Sequence, residues 1–122
     1  MYSVTEEVIV WLTALGYRAS TQVPEDAPKD PSEFVTVERT NGGVTNFVDN
    51  PQIAIQTWAE TEARAEEMAN EIKVAALTGE LPVGVSSMIP DIGPYPFWDE
   101  ETRCPRYQTV YLCYTHVVLP DN

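Results

Sequence analysis

The stretch from Asn50 to Leu77, NPQIAIQTWAETEARAEEMANEIKVAAL, changes period partway along. Ile53, Ile55 and Thr57 alternate with Ala54, Gln56 and Trp58, the two-residue repeat of a strand whose faces differ. From Ala65 the small and apolar residues fall at Ala65, Met68, Ala69, Ile72, Ala75 and Ala76, a spacing near 3.6. A strand therefore ends at Trp58-Ala59 and an amphipathic helix begins near Thr61, with Glu60 or Thr61 as its cap. Glu60, Glu62, Glu66 and Glu67 crowd the helix start and Lys73 lies late, the polarity that suits the helix dipole. A run of carboxylates can imitate an acid–base site. Here a solvated face with a Glu60–Arg64 pair at i,i+4 explains it more simply, and Gly79 stops the helix.

Working outward, Ser3 and Glu6 have capping-box spacing. Val4, Val8, Trp11, Leu12 and Leu15 form the apolar stripe of a first helix that Gly16 terminates. Trp11 lies on that stripe, so it reads as a core anchor rather than a ligand-binding aromatic. Tyr17 to Val23 alternates as a strand. Residues 24–33, PEDAPKDPSE, are an exposed loop with three prolines and four acids. Phe34 to Thr40 is the next strand, and Asn41-Gly42-Gly43 reads as a hairpin turn, since these residues tolerate positive φ. A phosphate loop is the other reading of the two glycines, but no Lys-Ser/Thr follows them. Val44 to Val48 continues the hairpin, and Asp49-Asn50-Pro51 breaks it.

After the second helix, residues 82–106 read as irregular. Val83 to Ile89 is a short strand, and Pro90, Pro94 and Pro96 forbid a long central one. Tyr95, Phe97 and Trp98 gather apolar area that suits a pocket wall, a neighbouring subunit or the domain's own core. Asp99-Glu100-Glu101 is a turn. Tyr107 to Leu119 alternates throughout, with Tyr107, Thr109, Tyr111, Cys113, Thr115 and Val117 on one face and Gln108, Val110, Leu112, Tyr114, His116 and Val118 on the other. The order α-β-β-β-α-β-β describes a single α+β domain over residues 1–122, an antiparallel sheet with both helices on one face.

Nineteen acidic residues against seven Lys and Arg give a formal charge of −12. Gripping nucleic acid needs clustered positive charge, and the basic residues here are scattered and outnumbered. No segment approaches the ~20 apolar residues of a membrane helix. Glu6 and Glu7 stand where a secretory leader would be basic, so a cytosolic chain is expected. Cys104 and Cys113, nine residues apart in one extended segment, point to opposite faces and are expected as free thiols. With His116 they match no zinc spacing. No Ser, Cys or Asp lies beside His116 in sequence to make it a general base. No catalytic, cofactor or metal site is expected.

The element order, and above all QIAIQTWAETEARAEEMANEIKVAAL and the turn-then-strand ending DEETRCPRYQTVYLCYTHVVL, resembles the tail terminator proteins of long-tailed bacteriophages, the group that includes the lambda tail terminator and related tail-completion proteins. The likeness covers most of the chain in element order, although the Pro90–Trp98 run matches no family motif. It implies a structural protein of the virion, assembled in the host cytoplasm, that is not an enzyme. Such subunits close into a six-fold ring that caps the tail tube, halts its polymerisation and offers the surface that joins the head. The implied partners are further copies of the chain, the tail tube protein and a head-completion or connector protein, with DNA passing an acidic lumen without sticking. A neck or head-completion connector is the alternative from the same virion region, and a small unrelated enzyme or ligand-binding domain the more distant one. A ring subunit presents two different complementary surfaces, and the candidates are Asn41, Gly42 and Gly43 on one side and Tyr95, Phe97 and Trp98 on the other.

Overall fold

The computed structural model describes residues 2–27, 29, 31–45, 48–97 and 104–116, with the backbone alone for 41–45, 48, 49 and 116. The order is α1 (Val4–Ala14), β1 (Ala19–Ser20), β2 (Phe34–Thr45), β3 (Val48–Trp58), α2 (Glu62–Thr78), β4 (Val85–Pro96) and β5 (Arg106–His116). The strands form one sheet in the order β1-β2-β3-β5-β4. The α+β class and the element order agree with the sequence reading. The sheet is mixed rather than antiparallel, because β1 pairs parallel to β2, Ala19 with Val35 and Ser20 with Thr36.

Both helices form where their caps place them. The Ser3 hydroxyl accepts from the Glu6 N–H at 3.3 Å, and the Thr61 hydroxyl accepts from the Arg64 N–H at 3.1 Å, each satisfying a donor that the first helical turn leaves open. At the end of α1, Gly16 sits at φ +102°. Its N–H bonds to Thr13 O, and that of Tyr17 bonds to Leu12 O, the paired bonds of a Schellman stop. Leu15 is the C-cap and 44% exposed, so it does not belong to the buried stripe of Val4, Val8, Trp11 and Leu12. Trp11 is buried and donates its indole N–H to Glu80 O at 2.7 Å, as a core anchor should. Because Thr61 is the cap, Glu60 lies outside α2 and no i,i+4 pair with Arg64 forms. Arg64 turns instead to Glu33, Glu67 and Glu71.

Three strand boundaries differ from expectation. The first strand is two residues long rather than seven. Tyr17 is consumed by the helix stop, and the Ser20 hydroxyl donates to Gln22 O at 2.6 Å, which turns the chain away. Asn41-Gly42-Gly43 is not the hairpin turn: Asn41 pairs with Gln52, Gly42 with Pro51 and Gly43 with Asn50, and the chain reverses between Thr45 and Val48. The register slips by one between Arg39 and Asn41, a β-bulge that makes room for the extra residue. Asp49-Asn50-Pro51 lies within β3. Pro51 is tolerated because its missing N–H faces β5, where the ladder runs from Asp49↔Thr115 directly to Gln52↔Leu112. The region expected to be irregular holds the 12-residue β4. It is an edge strand, the one setting that accepts several prolines, and three register shifts bend it against β5. The expected turn at residues 99–101, Trp98 and the end of the last strand beyond His116 lie outside the described residues.

The main core lies between the helices and one face of the sheet. Val8, Leu12, Met68 and Ile72 pack there against Val35, Val37, Ile53, Ile55, Tyr111 and Cys113. The Thr57 hydroxyl, facing α2, donates to Ala65 O at 2.7 Å. Tyr111 is fully buried, and its hydroxyl has no hydrogen-bond partner among the described residues. A buried donor left unmade costs its desolvation. Tyr111→Phe is therefore expected to leave stability unchanged or raise it by up to about 1 kcal/mol, read as the midpoint of thermal or urea unfolding.

Cys104 and Cys113 are buried thiols outside any disulfide, and burial pushes the Cys113 thiol up to about 12. A thiol that ionises less readily folded than unfolded holds its proton in the native state. Its contribution to stability is intact below the unfolded value near 9 and is lost as pH rises toward 12. Native protein should resist a thiol reagent at pH 8 and react with both thiols once denatured.

Candidate functional site

The two faces of the sheet differ. α1 and α2 cover one. The other carries no helix among the described residues, and its residues fall in cross-strand rows that follow from the register. The first row is Phe34, Trp58 and Arg106. Phe34 stacks on Trp58 with centroids 5.1 Å apart. The Arg106 guanidinium lies between the Trp58 ring at 4.7 Å and the Phe97 ring at 4.1 Å. Ala27 and Cys104 close over Phe34 and Trp58. Trp58, the last residue of β3, is buried on the face away from α2.

The second row is polar and crosses four strands. The Trp58 indole donates to the Thr36 hydroxyl at 3.0 Å, and Thr36 donates to Gln56 Oε1 at 2.6 Å. Gln56 Nε2 donates to Gln108 Oε1 at 2.6 Å, and Gln108 Nε2 donates to the Tyr95 hydroxyl. All the bonds run in one direction, so each polarises the next. Beyond this row the open face turns apolar: Ile92 pairs with Val110 and Ile89 with Leu112, followed by Tyr114. Ile89, Ile92 and Tyr114 are 48%, 54% and 39% exposed. Among the described residues no element covers them.

The sequence-predicted interface residues occupy opposite margins of this sheet. Asn41, Gly42 and Gly43 lie in β2, beyond the two residues that β1 covers. Tyr95 lies in β4, with Phe97 just past its end, edge-on to Tyr95 at 6.2 Å. Phe97 O accepts from Arg106 Nε at 2.6 Å. The two groups are three strand spacings apart across the sheet, about 14 Å, and at least four residues apart along it, since Asn41 is in line with Leu112 and Tyr95 with Gln108, so they do not form one site. Tyr95 is committed to the polar row, which leaves Phe97, 39% exposed, as the accessible aromatic of that pair. The exposed patch of Ile89, Ile92 and Tyr114 went unnoticed in the sequence. The alternation of Val110, Leu112 and Tyr114 was legible, but not that their face would lack a covering helix.

A cleft of about 550 Å³ opens between the end of α1, α2 and the loop leading to β2. At its mouth Arg64 Nε and Nη2 fork onto Glu33 at 2.9 and 3.2 Å. Arg64 also bonds Glu67 and lies 3.6 Å from Glu71. Glu71 in turn accepts from the Tyr17 hydroxyl at 2.6 Å. Burial and the Glu71 carboxylate hold that hydroxyl well above the usual tyrosine range, and the Glu33 hydrogen bond raises Arg64. The guanidinium at the cleft is thus spent on tying the loop, the turn after α1 and α2 together. The pairs are partly exposed, so Arg64→Met should cost no more than about 1 kcal/mol, and less in high salt. Urea unfolding at two ionic strengths measures it.

Among the described residues no group of three or more His, Cys, Asp or Glu is placed to hold a metal ion, and no described helix is long and apolar enough to cross a membrane. The His116 side chain lies outside the described residues. In comparisons with known proteins, no family model matches the chain and no curated protein matches it.

Proposed function

We propose that this chain is a ring-forming assembly subunit of the tail terminator kind, which caps a phage tail tube, stops its growth and offers the surface that meets the head. One observation carries the reading: the two margins of a single sheet are unlike. Past the residues that β1 pairs, β2 offers a margin that no described strand covers, and on the other side the β4–β5 margin offers exposed Ile89, Ile92, Tyr114 and Phe97. A head-to-tail contact that closes a ring joins two dissimilar surfaces, and exposed apolar residues beside a polar row resemble the core and rim of an interface. The resemblance in element order supports the same reading, as does the charge of −12, which suits a lumen that DNA crosses without binding.

Ile92→Glu tests it. The side chain is exposed, so the fold should tolerate the change. Rings formed at high concentration or on tail tubes should be lost while the circular dichroism spectrum is unchanged. Rings of undiminished yield would remove the apolar margin from the contact. The protein should also leave duplex DNA unretarded in a gel-shift assay at moderate salt; tight, salt-sensitive retention would contradict the charge argument.

A further inference from the structure

The open face of the sheet is nearly uncharged, in a chain whose net charge is −12. Beyond the polar row that ends at Gln108 and Tyr95, the next row runs Glu38, Ala54, Val110 and Ile92. The one after it runs Asn41, Gln52, Leu112 and Ile89, and Ser87 pairs with Tyr114 in the last. Glu38 is the one charged residue at the paired positions of these rows. Asp91 falls in the register shift beside Ile92 and joins no row. Loss of charge around exposed apolar residues marks the centre of an interface. Four rows ~7 Å apart on four strands ~4.8 Å apart span roughly 19 by 27 Å, about 500 Å² on each copy. Two such faces together reach about 1,000 Å², the threshold of a specific interface. A strongly charged partner finds almost no charge to pair with here. A second copy fits, provided that the two Glu38 carboxylates stay apart.

We propose that two chains pack these open faces together about a two-fold axis that crosses the strands between the Ile92–Val110 and Ile89–Leu112 rows, making a β-sandwich of two sheets ~10 Å apart. In that register Ile92 lies over the second copy's Ile89 and Val110 over its Leu112, and each contact occurs twice. The polar row lies over the second copy's row of Tyr114 and Ser87, so Gln108 meets a phenol rather than an aliphatic side chain. Glu38 lies over the position of Asn41, so no like charges oppose one another in these rows. A two-fold axis along β5 instead sets Ile92 over Ala54 and Ile89 over Gln52, which leaves the apolar patch on small or polar partners. The pairing stands without the ring reading. One consequence rests on that reading: the pair hides the patch that the ring contact uses, so it is a stored form that parts before a ring closes.

Sedimentation equilibrium of the full chain over a concentration series, without tail tubes, tests the pairing. Wild type should fit a monomer–dimer equilibrium. Ile89 and Ile92 are 48% and 54% exposed, so Ile89→Glu and Ile92→Lys should each keep the circular dichroism spectrum. Each alone buries an unpaired charge and should weaken pairing by about tenfold or more. An equimolar mixture of the two sets the new carboxylate over the new ammonium once and leaves isoleucine over isoleucine once. It should therefore form a heterodimer tighter than either homodimer. A mixture of Ile89→Glu with Ile89→Lys sets each charge over Ile92 instead and should pair less tightly. Wild type that stays monomeric or assembles without a dimer overturns the proposal, as does Ile89→Glu that dimerises like wild type. Equal pairing in the two mixtures overturns the register and with it the proposal. Dimers that behave as expected beside tail tubes that never acquire rings would overturn the ring reading and leave the pairing standing. Rings on tubes from a chain that is monomeric without them would do the reverse.

Discussion

Trp58→Ala should lower the free energy of unfolding by about 3–5 kcal/mol, the range for emptying a large buried aromatic site. Trp58 is 1% exposed, stacked on Phe34 and covered by Arg106. The mutation also strips the Thr36 hydroxyl of its indole donor. Phe34→Ala should fall in the same range, and the double mutant should cost less than the sum, because each ring is part of the other's wall. Urea unfolding of the four proteins in this cycle measures it. A loss below about 1 kcal/mol for Trp58→Ala would mean that the ring is not buried.

Gln56→Leu should cost about 2–3 kcal/mol despite adding apolar surface, because it leaves polar groups unpaired on both sides. Gln56 is 6% exposed and is the central link of the row from Trp58 to Tyr95. Its loss leaves Thr36 without an acceptor and Gln108 Oε1 without a donor. Replacing Gln108 by Leu as well removes the second of these orphans, so the double variant should be more stable than the two single costs predict. Strict additivity would show that the row is a set of independent bonds.

Much of the fold could be read from local chemistry. Ser3 and Thr61 start the helices and Gly16 stops the first, and these features depend only on neighbouring residues. The alternation of β5 and the end of β3 at Trp58 were legible for the same reason. What failed depends on sheet order. Asn-Gly favours a turn only where no partner strand continues, and here residues 48–52 carry the ladder past it. Three prolines exclude a central strand but not an edge strand, and only the topology says that β4 is the edge. Arg64 was assigned Glu60, one helical turn before it, but it forks onto Glu33, 31 residues away.

The interface candidates were legible as residue types, and their arrangement was not. Asn41 to Gly43 and the aromatics near Phe97 were expected as the two complementary surfaces of a ring subunit. They are margins of one sheet: the first group lies along an edge, and Tyr95 is tied into a polar row. The exposed apolar patch of Ile89, Ile92 and Tyr114 exists only because both helices pack on the opposite face. That follows from how β4 and β5 fold back beside β3, not from any local pattern in residues 85–116.

The most direct measurement of the ring account is electron microscopy of the purified protein, alone and mixed with tail tubes built from their own tube protein. The account predicts six-fold rings at tube ends, tubes that no longer lengthen once capped, and loss of both with Ile92→Glu. Tubes that keep growing with bare ends in the presence of excess folded protein would contradict it.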